Sequence, residues 1–165
     1  FTEWLRRYRI EFCWFPMDVM TQTPPGPDDD KLSLIRGNLA IHRPELHEEL
    51  ERRFGFKARA AFGMTEIGTG LTMPIEADEM TGSGSCGIAG PFREIRIADP
   101  EGRTLPAGES GELLIRGPGI MQGYYKKPEA TAAAFHGDWF RTGDLATQDA
   151  YGFVTIRGQI GRAHV

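Results

Sequence analysis

The stretch KLSLIRGNLAIHRPELHEELERRFGFKARAAF, residues 31–62, decides the fold. Its opening, KLSLIRG (31–37), is a short apolar run closed by glycine and reads as a strand. Pro44 suits the first turn of a helix. Leu46, Leu50 and Phe54 follow at i, i+4 and i+8, and Gly55 supplies the stop. FKARAAF (56–62) reads as the next strand. Strand, helix, strand in that order is a βαβ unit, which predicts parallel strands under a covering helix.

Working outward, Trp4, Leu5 and Tyr8 stand at helical spacing, EFCWF (11–15) suits a buried strand, and Pro16 opens a short helical piece. TPPGPDDD (23–30) is a surface loop by its turn chemistry. Beyond residue 62 the strand runs into GMTEIGTG (63–70), which reads as a glycine-loosened loop. The second half changes character. FREIRIAD (92–99), GELLIRG (111–117) and FVTIRG (153–158) read as short strands with Gly/Pro punctuation, and PEATAAAF (128–135) as one helix. The fold class is α/β: a βαβ segment of a mainly parallel sheet over residues 1–80, then a small β-rich subdomain over 81–159, with the boundary within 76–90.

Composition narrows the function. The chain has 165 residues, 40% hydrophobic and 25% charged, with a net charge of −4. That matches an average globular protein and gives no reason to expect nucleic acid or an anionic membrane as partner. No run approaches the roughly 18 apolar residues of a membrane span, and FTEWLRRYRI has no signal-peptide shape. Cys13 and Cys86 lie far apart outside any C-x-x-C spacing, which suits a reducing, cytoplasmic setting. GSGSCG (82–87) matches G-x-G-x-x-G, yet a polar loop precedes it and Pro91 follows, so it reads as a flexible turn. His42, His47 and His136 share no metal spacing and read as surface or capping residues. HEELERR (47–53) reads as a solvated helix face.

Two stretches point to chemistry. Ligands of parallel sheets bind beyond the carboxyl ends of the strands. Strand 56–62 aims at Gly63 and strand 31–37 ends at Gly37-Asn38, so both glycine-bearing turns are expected on one edge, where a ligand can touch backbone. Thr65 offers a hydroxyl to an oxyanion. Glu66 would repel a phosphate unless Mg²⁺ lies between them, since that hard ion takes carboxylate and phosphate oxygens together. The competing reading is that Thr65-Glu66 caps a turn. In DWFRTGDLA (138–146) a strand ends in Thr-Gly-Asp, presenting Asp144, whose two oxygens can accept from the vicinal hydroxyls of a ribose. Its competing reading is an Asx-turn.

Taken in order, these residues resemble the adenylate-forming superfamily: acyl-CoA synthetases, adenylation domains of nonribosomal peptide synthetases, and beetle luciferases. Phe62-Gly63-Met64-Thr65-Glu66 resembles its aromatic-Gly-x-Thr-Glu motif. Gly111-Glu112-Leu113, Gly117, Gly123-Tyr124 and Pro128-Glu129-Ala130-Thr131 resemble its G-E-L…G-Y…P-x-x-T segment, and Trp139 to Leu145 its aromatic-R-T-G-D-L motif. The resemblance implies that Phe62 stacks on adenine, with Ala60 and Ala61 along its edge through backbone atoms and Gly63 and Met64 among the nucleotide-binding residues. It implies that Thr65 contacts the α-phosphate, Glu66 holds Mg²⁺, Asp144 binds the ribose and Ile156 packs beside it. Gly37 and Asn38 fall where the family has a small Gly-Gly-Ala turn beside the acyl and adenine sites, and Asn38 and Leu39 depart from it.

The implied reaction joins a small carboxylic acid to ATP as an acyl-adenylate and passes the acyl group to coenzyme A. Met64, where peptide-synthetase domains carry proline, and the aromatic EFCWFP (11–16) favour an acyl-CoA ligase loosely like the carnitine/crotonobetaine type. The alternatives are an amino-acid adenylation domain and an inert nucleotide-binding fragment. The family's phosphate loop and its mobile lysine-bearing domain have no counterpart here, so the chain is expected to be the last third of the large domain, inactive alone, with exposed edges and apolar surface. Gly158-Gln159 stands where the family has Gly-Arg, and IGRAHV (160–165) reads as a non-native tail encoded by a sequencing adapter.

Overall fold

The computed structural model describes residues 1–39 and 43–160. His42 and residues 161–165 of the tail lie outside them. The chain divides into two compact units, Phe1–Ala61 with Met73–Ser85, and Phe62–Thr72 with the residues from Cys86 onward.

The first unit holds α1 (Thr2–Tyr8), β1 (Phe12–Trp14), α2 (Met17–Gln22), β2 (Arg36–Leu39), a 3-10 turn at Pro44–Leu46, α3 (His47–Phe54) and the start of β3 (Lys57–Met64). β1 runs parallel to β2, and β2 parallel to β3, from Arg36 opposite Lys57 to Leu39 opposite Ala60. The predicted βαβ unit is therefore present. Leu50 and Phe54 on α3 pack with Leu34, Leu39, Phe56 and Ala58 beneath them, and Gly55 ends the helix at φ 68°, a conformation glycine adopts without strain.

The strand read over 31–37 starts later than expected. Ile35 is 56% exposed, and strand pairing begins at Arg36. Gly37 thus lies inside β2 rather than in a turn beyond it. A Cβ there would sit 2.5 Å from the Phe56 ring, so the glycine serves close packing. The helix face 47–53 is not simply solvated either. Arg53 donates to Asp29 at 2.7 Å and to the carbonyls of Met20, Thr23 and Pro24. Glu51 accepts from the Ala58 amide at 3.0 Å and from Arg59 at 3.2 Å. His47 is buried rather than on the surface. Charge at helical spacing does not reveal that a neighbouring segment supplies partners. Arg59 itself is wholly buried and donates to Glu51, Asp78, Thr81 and the carbonyls of Pro74 and Ile75, fastening 74–81 to the strand; a buried cation requires such pairing.

In the second unit the end of β3 turns into β4 (Gly68–Thr72), which pairs antiparallel with β5 (Ile88–Ala89). A four-stranded antiparallel sheet follows: β6 (Glu94–Ala98), β7 (Ser110–Arg116), β9 (Trp139–Gln148) and β10 (Val154–Gln159), in spatial order β10-β9-β7-β6. The short β8 (Phe135–His136) pairs with β9, and α4 (Pro128–Ala133) precedes it. Ile97, Leu113, Ile115, Phe140, Ala146 and Val154 are buried in this unit. The strands and the helix expected in the second half all form, within a few residues. Residues 82–87 place Gly82, Gly84 and Gly87 at positive φ, with a β-bridge rather than a helix at Gly87. Among the described residues no helix is long and apolar enough to cross a membrane.

Candidate functional site

The candidate residues fall into two groups, one in each unit. The larger begins at the tip of a hairpin. β3 continues through Gly63 and Met64, and the turn closes with the Ile67 amide donating to the Met64 carbonyl at 3.1 Å. The loop expected over 63–70 is thus two paired strand ends with Thr65 and Glu66 at the turn. Gly63 has a physical reason: a Cβ there would overlap the Gly68 carbonyl oxygen across the hairpin. Thr65 is exposed, and its hydroxyl makes no hydrogen bond among the described residues.

Glu66 is half-buried and held from two sides. The Met121 amide donates to its carbonyl at 2.7 Å, and the Tyr124 hydroxyl donates to its Oε1 at 3.1 Å. Burial, this bond and the Glu66 charge all push the Tyr124 hydroxyl above its ordinary pKa. Tyr124 is positioned in turn by α4, whose Thr131 Oγ1 accepts from its amide at 2.9 Å. The carboxylate is left with Oε2 unengaged among the described residues. No three His, Cys, Asp or Glu side chains gather into a metal site among them. A Mg²⁺ ion here would have one protein carboxylate and would complete its shell with phosphate and water oxygens, an arrangement usual for that ion. The residues present fit such an ion.

Asp144 lies in the interior of β9, not at a strand end as the sequence suggests. Three residues of β9, 142–144, face the single Leu113 of β7, so the strand bulges and continues. Gly143 takes φ 73° to make the bulge. The Thr142 hydroxyl donates to the Leu113 carbonyl at 2.8 Å and accepts from the Asp144 amide at 3.1 Å. Asp144 is 6% exposed. Burial pushes its carboxyl above the ordinary value; a hydrogen bond from Gln159 opposes the shift and the charge of Glu112 adds to it. Ile156 stands on β10, which pairs with β9, and its amide bonds the buried Cys86 thiol. That thiol is pushed up to about 11, chiefly by burial, with the Asp144 charge adding. Phe62, Gly63, Met64, Thr65, Glu66, Asp144 and Ile156 therefore all belong to the second unit.

Gly37, Asn38, Ala60 and Ala61 belong to the first. Asn38 is 6% exposed and pairs with Arg59 across the strands, and its Oδ1 accepts from Arg36 at 2.9 Å. Arg36 also donates to the Met73 carbonyl, and the Met73 amide donates to that of Ala60. No role for Glu112, Tyr124, Arg141 or Thr142 is legible in the sequence, although the G-E-L, G-Y and R-T-G-D motifs contain them. Their partners become visible only when β7 lies beside β9 and α4 returns to the hairpin. Two cavities of about 420 and 530 Å³ flank these elements, one lined by Met121, Thr131 and Phe135, the other by Leu105, Glu112, Arg141 and Leu145. Neither of these two is lined by Thr65, Glu66 or Asp144.

Comparison with known proteins places this geometry. The family described as AMP-binding enzyme matches residues 28–125. Feruloyl-CoA synthase from an Amycolatopsis species is 40% identical over 124 residues, covering 75% of this chain and 25% of that protein. Among solved structures, the amide bond synthetase McbA from Marinactinospora thermotolerans superposes with a TM-score of 0.85 at 26% identity, over 96% of this chain and 33% of that one. ATP-bound MatB from Rhodopseudomonas palustris superposes with a TM-score of 0.71 at 31% identity, over 81% of this chain and 28% of that one. The chain spans about a quarter to a third of the length of these proteins.

Proposed function

Because the chain belongs to the AMP-binding enzyme family, we propose that it forms part of an acid–thiol ligase, which activates a small carboxylic acid with ATP and transfers the acyl group to coenzyme A. A carboxylate oxygen attacks the α-phosphorus of ATP, and the bond to the pyrophosphate oxygen breaks, giving an acyl-adenylate. The thiol sulfur then attacks the acyl carbon, and AMP leaves. Both reactants of the first step are anionic, so the protein's task is alignment and charge neutralisation rather than nucleophilic attack. Thr65 donates its unengaged hydroxyl to an α-phosphate oxygen. Phe62 offers its ring to the base. Asp144 accepts from the ribose hydroxyls, with Ile156 beside the sugar. Glu66, oriented by Tyr124, would hold Mg²⁺, which would supply the positive charge that lets a carboxylate approach a phosphate.

The observation that carries this reading is the presence, in one unit, of a hairpin tip with an unengaged hydroxyl and a braced carboxylate together with a second, buried acid on β9. The relation to feruloyl-CoA synthase favours coenzyme A as acceptor. The likeness to an amide bond synthetase keeps an amine as the second reading of that half-reaction. The test is a panel of alkyl and aryl acids with ATP, coenzyme A and the protein encoded by the complete open reading frame. Formation of acyl-CoA, AMP and pyrophosphate in equal amounts supports the reading. Release of ADP and phosphate, or turnover without an acid, contradicts it.

A further inference from the structure

The Gly-Glu-Leu motif has no part in the chemistry above, yet its glutamate is the most engaged side chain around the Asp144 bulge. Glu112 lies on β7 and is 8% exposed. Its Oε2 accepts from Arg141 Nε at 2.9 Å and Nη2 at 2.7 Å. Its Oε1 accepts from the Gly143 amide at 3.2 Å. The residues on both sides of the bulge's glycine are thereby fixed: Arg141 by Glu112, and Thr142 and Asp144 through the Thr142 hydroxyl and Leu113. We propose that Glu112 is a positioning residue that holds the β9 bulge in the one conformation that presents the Asp144 carboxylate to the sugar of the bound nucleotide. This rests on the reading that Asp144 meets that sugar.

Two features separate this from an ordinary ion pair. The Arg141 side chain is 42% exposed, so its pairing alone contributes little to stability. Moreover, Glu112 opposes the ionisation of Asp144. Two acids placed together in a buried neighbourhood are a poor choice for stability alone. They make sense if the bulge needs an acceptor that can take the Gly143 amide and both Arg141 donors at once. Glutamine has one acceptor oxygen and an NH₂ group that can accept from neither. Glu112→Gln therefore keeps the volume and breaks one side of the brace.

The experiment measures acid-dependent ATP–pyrophosphate exchange by the full-length protein, as KM for ATP, kcat and their pH profiles, for the native protein, Glu112→Gln, Arg141→Lys and Asp144→Ala. Glu112→Gln should raise KM for ATP about tenfold, the size of a lost hydrogen bond to a charged group, with kcat within about twofold. It should also move the acid limb of kcat/KM to lower pH, because the charge opposing Asp144 ionisation is gone. That shift follows from the lost charge alone; the positioning role is read from the selective rise in KM for ATP, which a merely structural role would not produce at nearly unchanged kcat. Arg141→Lys, whose exposed side chain makes it the safe variant if Glu112→Gln does not fold, should raise KM for ATP to a smaller extent. If Asp144→Ala raises KM while Glu112→Gln and Arg141→Lys match the native protein in KM for ATP, the positioning role is overturned and the reading of Asp144 stands. If Asp144→Ala itself leaves KM unchanged, that reading fails, and the positioning role with it.

Discussion

Asp144 is an acid kept where burial and a neighbouring acid oppose its charge. Its folded pKa lies above its unfolded one, so the folded chain binds the proton more tightly. The stability this confers is present at low pH and is lost as pH rises through the folded pKa; at neutral pH the ionised group costs stability. Asp144→Asn should therefore raise Tm while weakening AMP binding about tenfold, since the amide offers one acceptor oxygen in place of two. Scanning calorimetry and titration calorimetry of the full-length protein check both halves; a lowered Tm would contradict the account. Glu66 is braced by a partly exposed hydroxyl at 3.1 Å. Tyr124→Phe should raise the Mg²⁺ concentration needed for half-maximal exchange by about threefold to tenfold, the effect of one neutral-donor hydrogen bond. An unchanged Mg²⁺ dependence would show that Tyr124 does not orient the carboxylate.

At the scale of elements, two glycines decide how strands meet. Gly37 lets the Phe56 ring lie against bare backbone in β2, and Gly63 lets the β3–β4 hairpin close. Gly37→Ala should destabilise the fold by about 1–3 kcal/mol through overpacking, read as a lower denaturant midpoint at unchanged slope. The helix α3 and its stop at Gly55 were legible because a 3.6-residue period and a C-terminal glycine are local signals. The start of β2 was not, because 31–35 carries the same apolar pattern and only pairing with β1 shows where the ladder begins. β4 is not legible because GTGLT has two glycines and little alternation. Thr-Gly-Asp is turn chemistry and so suggests a strand end at Asp144; a bulge uses the same chemistry without ending the strand. The candidate residues stand out in the sequence as a motif order, whereas no role for Glu112 or Tyr124 is legible there because their partners lie 29 to 58 residues away.

At the scale of the molecule, the first unit exposes Trp4 at 67%, Phe12 at 53%, Trp14 at 52% and Ile35 at 56%, with β1 at the edge of its parallel sheet. The exposed edge and apolar surface expected from the sequence are present, whereas the reading of 11–15 as a buried strand is corrected: at the sheet edge Phe12 and Trp14 are exposed and Phe15 is buried. The 165-residue chain on its own should bind a hydrophobic dye strongly and self-associate with increasing concentration; a monodisperse monomer that leaves the dye dark would contradict this. The account as a whole turns on two acids of the second unit gripping one nucleotide, Glu66 through a magnesium ion and Asp144 through the sugar. The most direct test is ATP–pyrophosphate exchange driven by an added carboxylic acid, in the full-length protein and in its Glu66→Gln and Asp144→Ala variants. The account predicts exchange in the native protein, a loss of about a hundredfold or more in kcat for Glu66→Gln, and a raised KM for ATP in Asp144→Ala. Native-like exchange in both variants would contradict it.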